Sequence, residues 1–237
     1  MPGLAHYLIF HPDSNRERAK VIADAIINKK LRIGWEGDIW VDKRNIGNED
    51  PFVFNEPWLY SYCHTSQLRR NEKRTDNFIN SGSYLVFCSA NSADNGIIQI
   101  DTVFVVGELT RWGRDPSLTL PAKFSYLLND RRNPLWRRHF RFPFLPGKFA
   151  QHKSVTHTYL SKSWKINCLD YSFLPLGESN ERISFKVSNL SNQTASTINE
   201  RKWGKYPVLF TQEQLNEILE QINRITSIRV IRQIHEV

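Results

Sequence analysis

Tyr84-Leu-Val-Phe-Cys88 and Ile97-Ile-Gln-Ile-Asp-Thr-Val-Phe-Val-Val106 are the two stretches on which the fold turns. Both are dense in β-branched and aromatic residues, and the turn formers of Ser89 to Gly96 part them. That pattern reads as two strands of a hairpin at the centre of a sheet.

Working toward the N-terminus, His6-Tyr-Leu-Ile-Phe10 reads as a strand, with Pro12 and Asp13 turning the chain after it. Ser14 followed by Glu17 has the form of a capping box, and Ala19, Ile22, Ala23 and Ile26 recur at helical spacing. With Arg16, Arg18, Lys20 and Lys29 mainly on the opposite side, the segment predicts an amphipathic helix lying on the sheet. Asp38 to Val41 reads as a short strand, and Asn45, Gly47 and Asn48 as turn.

Toward the C-terminus, Tyr159 to Ile166, Leu169 to Leu174 and Ile183 to Val187 alternate as short strands. Thr211 with Gln214 forms a second capping box ahead of the stripe Leu215, Ile218, Leu219, Ile222 and Ile225. Ile228, Val230 and Ile231 either extend that helix or form an edge strand. The expected fold class is α+β, a small curved mixed or antiparallel sheet flanked by an N-terminal and a C-terminal helix. Residues 1–237 are expected to form a single domain, with an irregular basic and aromatic insertion at about 112–153, where Pro116, Pro121, Pro134, Pro143 and Pro146 break regular structure.

Composition narrows the function classes. The chain has 237 residues, 40% hydrophobic and 24% charged, an ordinary globular balance. No run approaches the roughly 18 apolar residues of a membrane span. Met1 to Phe10 lacks the basic and apolar succession of a secretory signal. Cys63, Cys88 and Cys168 are odd in number and widely spaced, which fits a reducing compartment, so a cytoplasmic protein is expected. The formal charge of +8 favours polyanionic partners.

Charge and aromatic residues coincide between Lys123 and Lys153. Arg131, Arg132, Arg137, Arg138, Arg141 and Lys148 interleave there with Phe124, Tyr126, Trp136, Phe140, Phe142, Phe144 and Phe149, against Asp130 alone. Arginine grips phosphate and aromatic rings stack on bases, so these cations are the expected phosphate-binding set. In Glu56-Pro-Trp-Leu-Tyr-Ser-Tyr-Cys-His64, a period of two places Trp58, Tyr60 and Tyr62 on one face. With His64 they are the expected base-binding set, although such a stripe also suits plain core.

Catalytic candidates are Asp101, isolated in an apolar strand, Glu108 at its end, His64 and His157. The glutamate-x-lysine pattern of metal-dependent nucleases is missing after Glu108, where Leu109, Thr110 and Arg111 follow. Glycine-rich phosphate loops, G-x-S-x-G, H-E-x-x-H and zinc-spaced cysteines are also missing, so neither a metal nor a cofactor is expected.

Tyr60-Ser-Tyr-Cys63, Gly82-Ser-Tyr-Leu-Val-Phe87 and Asp101-Thr-Val-Phe-Val-Val-Gly107 together resemble a group of uncharacterised bacterial proteins. They are loosely similar to nucleotide-modification-associated domain proteins, whose sheets are like the base-binding PUA and ASCH folds. The likeness covers roughly Pro57 to Glu108. It implies a PUA-like sheet with a pocket for a base or nucleotide, a modified base included, in a bacterial modification or defence system, and it transfers no catalytic residue. The expected function is nucleic-acid or nucleotide binding. An enzyme acting on such substrates through Asp101, Glu108 and a histidine, and a subunit docking onto a protein partner, are the two alternatives.

Overall fold

A computed structural model describes residues 3–10, 16–27, 30–42, 51, 53, 57–61, 68, 78–92, 97–113, 122, 155–162, 172–177, 179–188, 207–224 and 230–236. Ten strands carry most of them: β1 (His6–Phe10), β2 (Arg16–Ile27), β3 (Lys30–Asp42), β4 (Leu59–Ser61), β5 (Tyr84–Ser92), β6 (Ile97–Gly113), β7 (Val155–Ser161), β8 (Ile183–Lys186), β9 (Val208–Phe210) and β10 (Val230–Glu236). One helix, α1 (Gln212–Arg224), stands among the described residues. Seven strands form a mixed sheet in the order β4-β7-β6-β5-β1-β9, with β8 also on β6. A second sheet has the order β10-β2-β3.

The expected central hairpin forms. β5 and β6 pair antiparallel, Tyr84 opposite Val105 and Phe87 opposite Thr102, in the middle of the large sheet. β1 joins β5 in parallel, Tyr7 opposite Leu85, so the chain between them must cross over, and it carries β2 and β3 as it does so.

Alternation then divides the side chains between two cores. Tyr7, Ile9, Leu85, Phe87, Phe104 and Val106 face one way and meet Val21, Ala23, Ile39 and Val41 of the second sheet. Leu8, Phe10, Val86, Cys88, Val103 and Val105 face the other way and meet Leu215, Ile218 and Ile222 of α1. The large sheet is thus covered on both faces, which is why residues 84–88 of β5 and 103–106 of β6 are continuous apolar runs.

These observations correct the expected fold class. The α+β arrangement, a small PUA-like sheet between an N-terminal and a C-terminal helix, is replaced by a strand-dominated protein with a mixed sheet, a second sheet and a single described helix. The predicted N-terminal helix is the strand β2. Ala19, Ile22, Ala23 and Ile26 fit a helical stripe, but Ala19, Val21, Ala23 and Ala25 also recur at a period of two, and long-range pairing decides between them. β2 pairs with β3 along nearly its whole length, Arg16 opposite Asp42 to Ile27 opposite Lys30, and with β10 on its other side. Small alanines keep the inner face flat enough to sit on the large sheet.

The C-terminal helix is present with its cap. The Thr211 amide donates to Gln214 Oε1 at 3.0 Å and the Gln214 amide to Thr211 Oγ1 at 3.2 Å, the reciprocal pair of a capping box. Beyond it Val230–Glu236 is the strand β10 rather than more helix. No described helix is long and apolar enough to cross a membrane. Of the expected insertion at 112–153, residues 114–121 and 123–153 lie outside the described residues.

Candidate functional site: a shared carboxylate beneath an arginine and tryptophan shelf

β6 contains one residue too many at Asp101. Phe87 faces Thr102 and the next residue of β5, Cys88, faces Ile100, so Asp101 is a bulge. Ile98 and Ile100 before it, and Val103 and Val105 after it, all point to the helix-side core. The bulge restores that phase while turning one carboxylate away from it, a common use of the device.

A carboxylate buried in an apolar strand needs cations. Among the described residues Asp101 meets Arg16 Nε, 3.0 Å from Oδ2, and Arg182 Nε, 2.9 Å from Oδ1. The side chains are 0, 3 and 7% exposed for Asp101, Arg16 and Arg182, so water screens this triad little. Arg16 comes from the start of β2 in the second sheet. Arg182 is delivered by a tight turn, in which the Gly177 amide donates to the Glu181 carbonyl and Asn180 adopts φ 60°, a left-handed conformation that asparagine tolerates. Leu176 pairs with Arg182 across the turn, which fixes the arginine beside β6.

Trp40 of β3 collects the same cations. Its ring carries the Arg182 guanidinium carbon 4.8 Å and that of Arg18 5.5 Å from the centroid, within cation–π range. Its carbonyl accepts from Arg16 Nη2 at 3.5 Å. The indole Nε1 is buried and has no hydrogen-bond partner among the described residues. Arg18 is the exposed member, its side chain 56% accessible, with Asp38 3.7 Å away as a loose surface partner. Two guanidiniums therefore lie over one indole and a third reaches its backbone carbonyl, and the two buried arginines share one carboxylate.

The sequence-derived candidates fall differently. Trp58 and Tyr60 are 2 and 0% exposed, and Tyr60 packs edge-on to Phe87 and stacked with Tyr159. Leu59 between them is buried too, so β4 is covered on both faces and its aromatic residues serve the core. Tyr62 and His64 lie outside the described residues, as do Arg131, Arg132, Arg137, Arg138, Arg141 and Lys148.

Asp101 and Glu108 do not converge, since Glu108 is exposed seven residues farther along the same strand, roughly 20 Å away. His157 belongs to β7 opposite Arg111, roughly 30 Å along β6 from Asp101. An acid and base must reach the same atoms, and the described residues bring no such pair to Asp101. Arg16, Arg182 and Trp40, which make the cluster, were not among the sequence candidates. The lone Asp101 was the only local signal for them.

Cys88 is a free thiol buried in the helix-side core, and burial, with the nearby Asp101 charge, pushes its pKa far up, so it acts as a small apolar side chain. No protein-family model, curated protein or solved structure matches this chain.

Proposed function

We propose that this chain is a binding module for nucleic acid or nucleotides, working in the cytoplasm, and that the Trp40 shelf is one of its contact points. The gathering of Arg18 and Arg182 on one indole carries this reading. Arginine beside an aromatic ring is the pairing that holds phosphate and base in single-stranded and loop recognition. The two buried guanidiniums are already fixed by Asp101, so little rotamer freedom remains to be lost there on binding.

The charge of +8 and the arginine-rich stretch around Arg137 and Arg138 support the same reading. Binding rather than turnover is favoured because Asp101 faces two arginines and lies far along β6 from Glu108.

The test is anisotropy of labelled DNA and RNA, single- and double-stranded, over a salt series. Binding should weaken steeply with salt. If Arg18 neutralises one phosphate, Arg18→Ala should reduce the slope of log K against log salt by about 0.9 on a duplex, or about 0.7 on a single strand. Arg137→Ala with Arg138→Ala should reduce it further. Absence of binding at low salt would overturn the reading.

A further inference from the structure

We propose that α1 holds shut a strand-pairing edge on β8, and that the occupant it excludes is a second copy of this chain. Among the described residues β8 has a strand partner, β6, on one side. On the other side β8 and the residues just past it meet a row of polar side chains from α1. The Lys186 amide donates to Gln221 Oε1 at 3.0 Å, and Gln221 Nε2 donates to the Lys186 carbonyl at 2.6 Å. The Ser188 amide donates to Glu217 Oε2 at 2.8 Å and its hydroxyl to Glu217 Oε1 at 2.7 Å. Gln214 Nε2 donates to the Ser188 carbonyl at 3.2 Å.

A carboxamide that accepts from the N–H and donates to the C=O of one residue does the work of the opposing residue in an antiparallel strand. The spacing fits this mimicry. Four residues of helix rise about 6.0 Å and two residues of strand about 6.6 Å, so Glu217 and Gln221 keep step with Ser188 and Lys186. α1 itself is anchored on the sheet face by Leu215, Ile218 and Ile222, in the same core as Phe185 and Val187. Its long polar side chains are what reach the edge. Alternation makes Ser184 the next outward residue of β8, and it is exposed, with no bond from α1.

The sequence of the edge sets what it would accept. Arg182-Ile-Ser-Phe-Lys-Val-Ser188 has an antiparallel register with its own copy in which Phe185 faces Phe185 and Ile183 faces Val187. In that register Ser184 faces Lys186 and Arg182 faces Ser188, so no charge faces a like charge. Outward residues meet outward residues, as the hydrogen-bond pattern requires. The apolar pairs fall on the side of the helix-side core, which would continue from one copy into the other. An edge of that kind is a template for a second copy unless something covers it.

The experiment removes the guard and keeps the helix. Glu217→Ala with Gln221→Ala spares the Thr211 and Gln214 cap, and alanine is the best helix former. In sedimentation equilibrium over about 10–500 µM, the weight-average mass of the double variant should rise toward about twice that of the wild type. Adding Ser184→Pro removes an outward N–H at a position where an edge strand tolerates proline, and should return the mass to the wild-type value. The wild type offers a check without any substitution. Relative to their unstructured rates, the Lys186 and Ser188 amides should exchange with deuterium about 5-fold more slowly than the Ser184 amide, one net hydrogen bond each.

A double variant with the mass of the wild type overturns the guard. Self-association that survives Ser184→Pro overturns the β8 edge as its route. Exchange at Lys186 and Ser188 as fast as at Ser184 overturns the contact itself, whether or not the double variant folds.

Discussion

Replacing Asp101 by Asn tests the triad most directly, because it removes the charge and keeps the shape. Arg16 and Arg182 would each lose the carboxylate that they meet at 3.0 and 2.9 Å, and with 3 and 7% of their side chains accessible neither can recover full hydration in place. Removing one partner of a buried ion pair costs about 3–5 kcal/mol, most of it the penalty of the charge left behind. With a urea m-value of about 2 kcal/mol/M, the midpoint should fall by about 1.5–2.5 M.

The triad itself need not stabilise the protein by that amount, since well-packed apolar residues often replace such groups without loss. Arg16→Met, Asp101→Leu and Arg182→Met together should therefore cost far less than Asp101→Asn alone. Urea unfolding followed by tryptophan emission measures both. A loss below about 1 kcal/mol for Asp101→Asn would refute the argument, since the two cations would then be hydrated or paired elsewhere.

Two further predictions concern stability. His6 Nδ1 accepts from the Tyr84 amide at 3.1 Å and its Nε2 lies 3.2 Å from Gln212 Oε1, and burial lowers its pKa against the smaller raising effect of that Gln212 bond. The unfolded chain then binds more protons just below the ordinary value of 6.5, so this contribution is complete above 6.5 and is lost as pH falls toward the lowered folded value. Urea midpoints measured from pH 7.5 to pH 5 should show the decline, and His6→Asn should flatten it. Gly107 is an extra residue of β6 opposite β7, and a Cβ there would come within 2.7 Å of the Lys162 Cα, so Gly107→Ala should cost about 1–3 kcal/mol in the same assay.

What the sequence made legible follows the range of the interactions. β1, the β5–β6 hairpin and the capped helix α1 are specified by neighbours in the chain, and each lies where its local pattern places it. The Thr211 and Gln214 exchange is local by nature. β2 is different, because its apolar residues satisfy both periods and its partners are β3 and the distant β10. Propensity could not arbitrate there, and tertiary pairing overrode the helical reading.

The site was legible only in part, for the same reason. Asp101 stood out as a carboxylate among valines and isoleucines, but Arg16 looked like one of several surface cations on a helix. Arg182 had no pattern at all. The stripe of Trp58 and Tyr60 was visible in sequence, yet alternation cannot tell a strand with one open face from one covered on both, and the burial of Leu59 shows which it is.

The position of β2 also bears on how the molecule assembles. β2 is the middle strand of the second sheet, and one of its two neighbours, β10, is the last element in the order of strands. During synthesis the β2–β3 hairpin emerges early and keeps an unpaired edge until nearly all the other elements have been made. Such a strand invites pairing with other chains, and its late partner gives the sheet a high contact order, hence slow closure. Asp24 is the one charged residue among residues 21–26, the stretch of β2 that waits for β10, so a single carboxylate among small and apolar residues is what guards that edge against pairing with other nascent chains.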